Sequence, residues 1–292
     1  MISIFTLISL VFFVFGLIVG SFLNVVIYRF NTAKSFGGRS ACVSCQNKLC
    51  WYELIPLISF LSQKGRCRNC KARISIQYPL VEFATGIVFA ALFCKLSALS
   101  GSAFLEQDIS FLLNLNFFFT YAYYATMFSL LVIIAAYDFR HKIIPDALSF
   151  VFGALAFVGL FFFQAGEGQV LGSIFYPHIP TGLEFLSGVF ISLPFALLWL
   201  LSRGAWMGLG DAKLALGLGW FLGLSLAFSA VVVAFWTGAI VGLCLIVFSK
   251  VHSAQGNFGM KSEIPFALYL AFGAFLAFIF EFTFLTLVFR LR

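Results

Sequence analysis

Charge is what this chain has least of. Of 292 residues only 10% are charged, acids number 11 and histidines three. A soluble domain of this length carries about a quarter charged residues. Hydrophobic residues make up 62%, and the mean hydropathy is +1.05. No water-soluble fold hides so much apolar surface, so lipid must be part of the solvent. Other absences narrow the chemistry. No H-E-x-x-H helix and no G-x-S-x-G elbow occurs, which removes the common zinc-peptidase and serine-hydrolase signatures. The histidines, His141, His178 and His252, are scattered and read as solvated side chains. No strand followed by G-x-G-x-x-G marks a dinucleotide site.

What is present is apolar and continuous. Eight runs approach the roughly 20 residues that a spanning helix needs: 4–28, 79–96, 113–137, 147–164, 183–201, 214–224, 225–249 and 264–289. Because they do not alternate, they read as helices and not as barrel strands. The sixth is short, and its boundary with the seventh is indistinct. The predicted fold is therefore an all-α polytopic membrane protein of about eight transmembrane helices. Phe, at 41 residues, packs helices and meets lipid. Residues 1–19 lack the basic start and small-residue cleavage site of a secretory signal and read as part of the first span.

Basic residues orient the chain. The first long polar segment, 29–78, holds Arg29, Lys34, Arg39, Lys48, Lys64, Arg66, Arg68, Lys71 and Arg73. Alternating spans put Arg140, Lys142, Arg203, Lys213, Lys250 and Lys261 on the same side. Of the 18 basic residues only Lys95, Arg290 and Arg292 fall elsewhere. That side is predicted to be cytoplasmic, with the N-terminus outside. The net charge of +7 then matches an anionic leaflet and calls for no nucleic acid. Two regions follow: 1–96, with two spans around the polar module 29–78, and 97–292, with six spans. The outer loops 97–114 and 165–181 carry nothing suggestive of chemistry.

The polar module contains Cys42, Cys45, Cys67 and Cys70, two C-x-x-C pairs separated by 21 residues. Each turn can aim two sulfurs at one point, and two turns complete a tetrahedron suited to a structural Zn²⁺. Four free thiols, or a redox pair, are the plainer alternatives. A loop this small and polar has no core of its own, and a metal would replace it. The expected module is a zinc-ribbon-like loop between the first two spans. Cys50, Cys94 and Cys244 read as free.

Among the acids, Asp138 ends the third run and Asp211 ends Gly208-Leu-Gly-Asp211 before the sixth. Both stand at the same ends of spans. Two carboxyls brought together cannot both ionise cheaply, so one holds a proton while the other activates water. That is peptide hydrolysis without metal or covalent intermediate. The bland alternatives are an Asp211 helix cap and a solvated Asp138. Asp146 shares the turn of Asp138, and Glu82 sits near the start of the second span.

These residues together resemble the type IV prepilin peptidase family, over most of the chain. Gly20-Ser-Phe-Leu-Asn-Val-Val-Ile-Tyr-Arg29 is similar to its first-span ending. The two Cys pairs, with Leu54-Ile-Pro-Leu-Ile-Ser59 between them and Tyr78-Pro-Leu-Val-Glu82 after, resemble its cytoplasmic domain. Asp138 to Pro145-Asp146 and Gly208-Leu-Gly-Asp-Ala-Lys-Leu214 resemble its two aspartate motifs. The resemblance implies that Asp138 and Asp211 are the catalytic pair and that the substrates are prepilins and pseudopilins, cut after the glycine ending a short basic leader. It implies an inner-membrane location. It also implies N-methylation of the new terminus from S-adenosylmethionine, for which no donor-binding residue is assigned. The sequence departs from the family pattern at Cys42-Val-Ser-Cys45, which lacks a proline after the first Cys, at Arg140, where some members have a second Asp, and at Ile264-Pro-Phe-Ala-Leu268, where Pro-Phe-Gly-Pro is common. Two other readings share parts of this pattern. A signal-peptide-peptidase-like protease would share the Gly-x-Gly-Asp motif without needing the cysteines. A cation- or proton-coupled transporter would place its acids at mid-span depth.

Overall fold

A computed structural model describes residues 4–32, 37–99, 114–163, 177–251, 265–281 and 283–284. Lys34, His252, Lys261, Ile264 and most of the two outer loops lie outside them. The described chain is helical. The elements are α1 (Ile4–Arg29), a single 3₁₀ turn at Trp51–Leu54, α2 (Ile58–Ser62), α3 (Gln77–Leu99), α4 (Leu115–His141), α5 (Asp146–Gly159), α6 (Gly182–Ser202), α7 (Leu209–Val251) and α8 (Phe266–Phe280). Five of these, α1, α3, α4, α6 and α7, are long and apolar enough to cross a bilayer, while α5 and α8 are shorter apolar helices.

All eight apolar runs are helical over most of their described length, and the indistinct sixth and seventh are joined in α7. At Gly223 the backbone leaves the helix, with φ 74° and ψ 169°, a conformation that glycine alone adopts readily. The contacts on either side show that the chain turns back there. Phe221 stacks against Phe278 near the end of α8, whereas Phe235 meets Phe266 at its start. Ala267, next to Phe266, also bonds to Asp138, whose charge is felt at Asp211 in the first turn of α7. Residues 209–222 and 224–251 are thus two antiparallel passes joined by one residue.

Packing divides the chain into two compact units, Met1–Ala136 and Tyr137–Arg292. In the first, α1 and α3 lie side by side. Asn24 Nδ2 donates to the Tyr78 carbonyl at 3.0 Å, and the Tyr28 and Tyr78 rings stack at 4.5 Å. Two of the segments singled out in the sequence, 20–29 and 78–82, therefore meet face to face. Tyr121 of α4 donates to the Phe89 carbonyl of α3 at 3.1 Å.

In the second unit α7 is central, with α5, α6 and α8 packed on it. Gly219 and Gly188 let α7 and α6 touch backbone to backbone: a Cβ on Gly219 would stand 2.6 Å from Gly188 Cα and from the Ser187 carbonyl. Ser187 donates to the Gly219 carbonyl at 2.8 Å, and Trp220 Nε1 donates to the Phe185 carbonyl at 2.9 Å. In α6, Thr181 and Glu184 form a reciprocal cap that fixes the helix start. Pro194 sits inside the helix.

Candidate active site

Asp138 occupies the last turn of α4. The Lys142 amide closes that helix on the Asp138 carbonyl at 2.7 Å, with Lys142 in the left-handed region at φ 55°. This is a common helix stop, and it turns the chain sharply through Ile143, Ile144 and Pro145. Pro145 then caps α5, where a fixed φ and a missing N–H cost nothing. The turn matters because Ile144 packs directly on Gly210. A Cβ there would stand 2.8 Å from Ile144 Cβ. The glycine of the Gly208-Leu-Gly-Asp211 motif thus admits the Ile-Ile-Pro turn and draws the two aspartate segments together.

Asp211 lies in the first turn of α7. It is the third helical residue and not the cap itself, and its carboxyl reaches back to the Gly208 amide. The local capping role open to it in the sequence is therefore filled in part. Asp138 receives a different partner: the Ala267 amide, at the start of α8, donates to Asp138 Oδ2 at 3.1 Å. Asp138 is 5% exposed and Asp211 8%, and charge on Asp138 is felt at Asp211. Two acids far apart in sequence are thus buried, close together and each held by a backbone amide. They sit in the end turns of their helices, not at mid-span depth.

Asp146 does not join them. Its side chain is 77% exposed and pairs with Lys213 Nζ at 2.7 Å. Both residues line a largely apolar cavity of about 740 Å³ between α5, α6 and α7, which neither Asp138 nor Asp211 lines. Arg140 is exposed in the last turn of α4, and His141 packs its ring against Tyr137 at 4.4 Å. Glu82 is buried in the first unit, where it accepts from the Leu57 amide at 2.9 Å.

The four cysteines converge. Their sulfurs all lie within 4.8 Å of one another, and Cys42 and Cys70 Sγ are 3.8 Å apart. A tetrahedron with Zn–S bonds of about 2.3 Å has an edge of about 3.8 Å. The cluster can hold a metal ion. Its two halves are copies of one turn. Cys42 N donates to the Asn47 carbonyl and Gln46 N to the Cys42 carbonyl; Cys67 N donates to Ala72 and Lys71 N to Cys67 in the same way. Gln46 and Lys71 both take positive φ, and the bridges Ala41–Lys48 and Arg66–Arg73 close both turns.

The thiols are crowded enough to oppose joint ionisation. The Asn47 amide holds Cys45 below the usual thiol range. At Cys70 the Ala72 amide also favours the thiolate. Desolvation and the neighbouring thiols outweigh it, and that group is pushed up to about 11. A bound cation would reverse this by drawing the protons off. Cys50, Cys94 and Cys244 stand outside the cluster.

Geometry alone defines a helical membrane protein with a buried carboxyl pair at its helix ends and a separate four-thiol module. Comparison with known proteins gives the family. Residues 14–96 match the bacterial peptidase A24 N-terminal domain, and residues 125–243 match the type IV leader peptidase family. The cysteines fall in the first match and both aspartates in the second.

The relatives of this chain include proteins named prepilin leader peptidase/N-methyltransferase. The Myxococcus xanthus protein is 34% identical over 86% of this chain and 65% of its own length. The Bacillus subtilis protein is 30% identical over 92% of this chain and 93% of its own. The Aeromonas salmonicida protein is 29% identical over 91% and 88%. No solved structure matches the chain significantly. The chain belongs to the type IV leader peptidase family.

Proposed function

We propose that this protein is a membrane aspartic endopeptidase that removes the short basic leader of type IV prepilins and pseudopilins after its terminal glycine, at the cytoplasmic face of the inner membrane. The observation that carries the reading is the pairing of Asp138 with Asp211, both buried and both in helix-end turns. Burial and mutual repulsion favour one shared proton between such a pair. The ionised carboxylate takes a proton from water as it attacks the scissile carbonyl, and the protonated partner donates to the departing amine. The Ala267 and Gly208 amides hold the two carboxyls in place and leave other oxygen positions for water and substrate.

The second activity proposed is N-methylation of the new terminus with S-adenosylmethionine. It rests on the names of the relatives. The donor supplies an electrophilic methyl group, and no residue of this chain is assigned to hold it. In the same reading, Cys42, Cys45, Cys67 and Cys70 bind structural Zn²⁺. Residues 1–96 form the region carrying that module, and 97–292 form the six-span peptidase region with the N-terminus outside. The experiment is direct: incubate purified protein with a prepilin and S-adenosylmethionine and read the product mass. Loss of the leader mass supports the protease, and a further methyl increment supports the transferase. An unchanged mass overturns the reading.

A further inference from the structure

Residues 54–59, Leu-Ile-Pro-Leu-Ile-Ser, lie between the cysteine pairs and serve neither the thiols nor the carboxyl pair. Their backbone is unusual. Leu57 has φ 59° and ψ −49°, and the Ile58 amide folds back onto the Pro56 carbonyl at 2.6 Å. A leucine in this tight three-residue turn is strained, and the surroundings must hold it there. The holder is Glu82, whose Oε2 accepts from the Leu57 amide at 2.9 Å while the Ser21 hydroxyl also reaches it.

The position of Glu82 sets the level of the turn. It is in the second turn of α3 and lies against Gly20, nine residues before the end of α1. The turn is therefore tied alongside the α1–α3 pair, not lifted above it. From there α2 begins, with Ile58 63% and Leu61 72% exposed. Three residues apart, they share a face of the helix. Trp51, 78% exposed, and Leu54 stand exposed just before the turn.

Charge around this apolar segment has one sign. Lys48, Lys64, Arg66, Arg68 and Arg73 are all exposed, and Glu53 is the one acid between Arg29 and Tyr78. The Glu53 carboxylate is taken by the Cys50 amide at 2.8 Å. Aliphatic and Trp side chains flanked by Lys and Arg are the composition of a membrane interface, and the bases match anionic headgroups.

We propose that residues 51–61 are an interfacial anchor. Ile58, Leu61 and Trp51 enter the acyl region of an anionic leaflet, Lys48, Lys64 and Arg66 hold lipid phosphates, and Glu82 fixes the depth of the segment. The thiol module is thereby held down on the bilayer.

The test uses the full chain in nanodiscs of phosphatidylcholine, with or without phosphatidylglycerol, each doped with a lipid bearing a diazirine near the top of its acyl chain. After illumination, adducts are mapped by mass spectrometry. Adducts at 51–61 should exceed those at the exposed turn 37–40 severalfold, rise with phosphatidylglycerol and fall with salt. Ile58→Asp with Leu61→Asp should remove them while bound metal and labelling of α1 persist. Labelling of 51–61 no higher than of 37–40, or indifferent to phosphatidylglycerol, overturns the proposal. So does protection of the segment in every bilayer with crosslinks to a second copy of the chain.

Discussion

The Ala267 amide donates to Asp138 Oδ2 at 3.1 Å across a sequence separation of 129 residues. A helix start is thus used to hold a carboxylate belonging to another helix. Hydrogen bonds to charged groups contribute about 1.5–3 kcal/mol. Ala267→Pro removes that one donor at a first-turn position where proline is tolerated. The expected result is a kcat for prepilin cleavage lowered about 10- to 100-fold, with KM little changed. Ala267→Gly keeps the amide and should stay near wild type. A loss that appears in KM instead would mean that Ala267 serves substrate binding and not the carboxylate.

Asp138→Asn and Asp211→Asn should each lower cleavage by at least about 10²–10⁴-fold, the usual worth of a general acid or base, while the protein stays inserted. At Asp211 the amide oxygen can still accept from Gly208, so a purely capping residue would survive the change. The double variant should be scarcely worse than either single one, because the pair acts as a unit. Asp146→Asn, which breaks only the exposed contact with Lys213, should retain most activity. Its complete loss would move the pair to another member of that turn.

Purified protein should contain about one Zn²⁺ per chain, as one tetrahedron of thiolates requires. Cys42→Ser and Cys70→Ser should lower metal content and open residues 40–73 to proteolysis. Leader cleavage should persist in these variants while methylation falls, leaving mature but unmethylated pilin. Equal loss of both activities would show that the module holds the whole enzyme together.

Gly219→Ala should destabilise the second unit, because its Cβ meets Gly188 Cα and the Ser187 carbonyl at 2.6 Å and backbone cannot step aside. The expected cost is about 1–3 kcal/mol, read as a lower Tm in detergent. Gly153→Ala meets nothing within 4 Å. It should be neutral, or stabilising by up to about 1 kcal/mol through helix propensity.

Much of this was legible in the sequence because it is written in side-chain chemistry. Long apolar runs mark helices wherever lipid is the solvent, and the C-x-x-C spacing alone predicted the convergence of Cys42, Cys45, Cys67 and Cys70. The doubtful boundary between the sixth and seventh runs fell within two residues of Gly223. What stayed hidden depends on backbone or on distant pairing. The amide of Ala267 has no signature in residue type. The Lys213–Asp146 pair spans 67 residues, and sequence spacing cannot say which base meets which acid. Glu82 stood out in the sequence only as an acid near the start of the second span, and its partner is a peptide N–H made available by a strained turn at Leu57.

The one-residue reversal at Gly223 fixes a thickness. The pass that carries Asp211 is 14 residues long, 209–222, or about 21 Å of helix. Its neighbours α5 and α8, at 14 and 15 residues, are about as short. A hydrocarbon core is about 30 Å thick. The apolar belt of the second unit is therefore uneven, since α6 runs 21 residues, and lipid has most to adapt to at the short helices. On the proposed hydrolytic role of Asp138 and Asp211, longer acyl chains strain this short face first, and cleavage should slow as the surrounding acyl chains are lengthened.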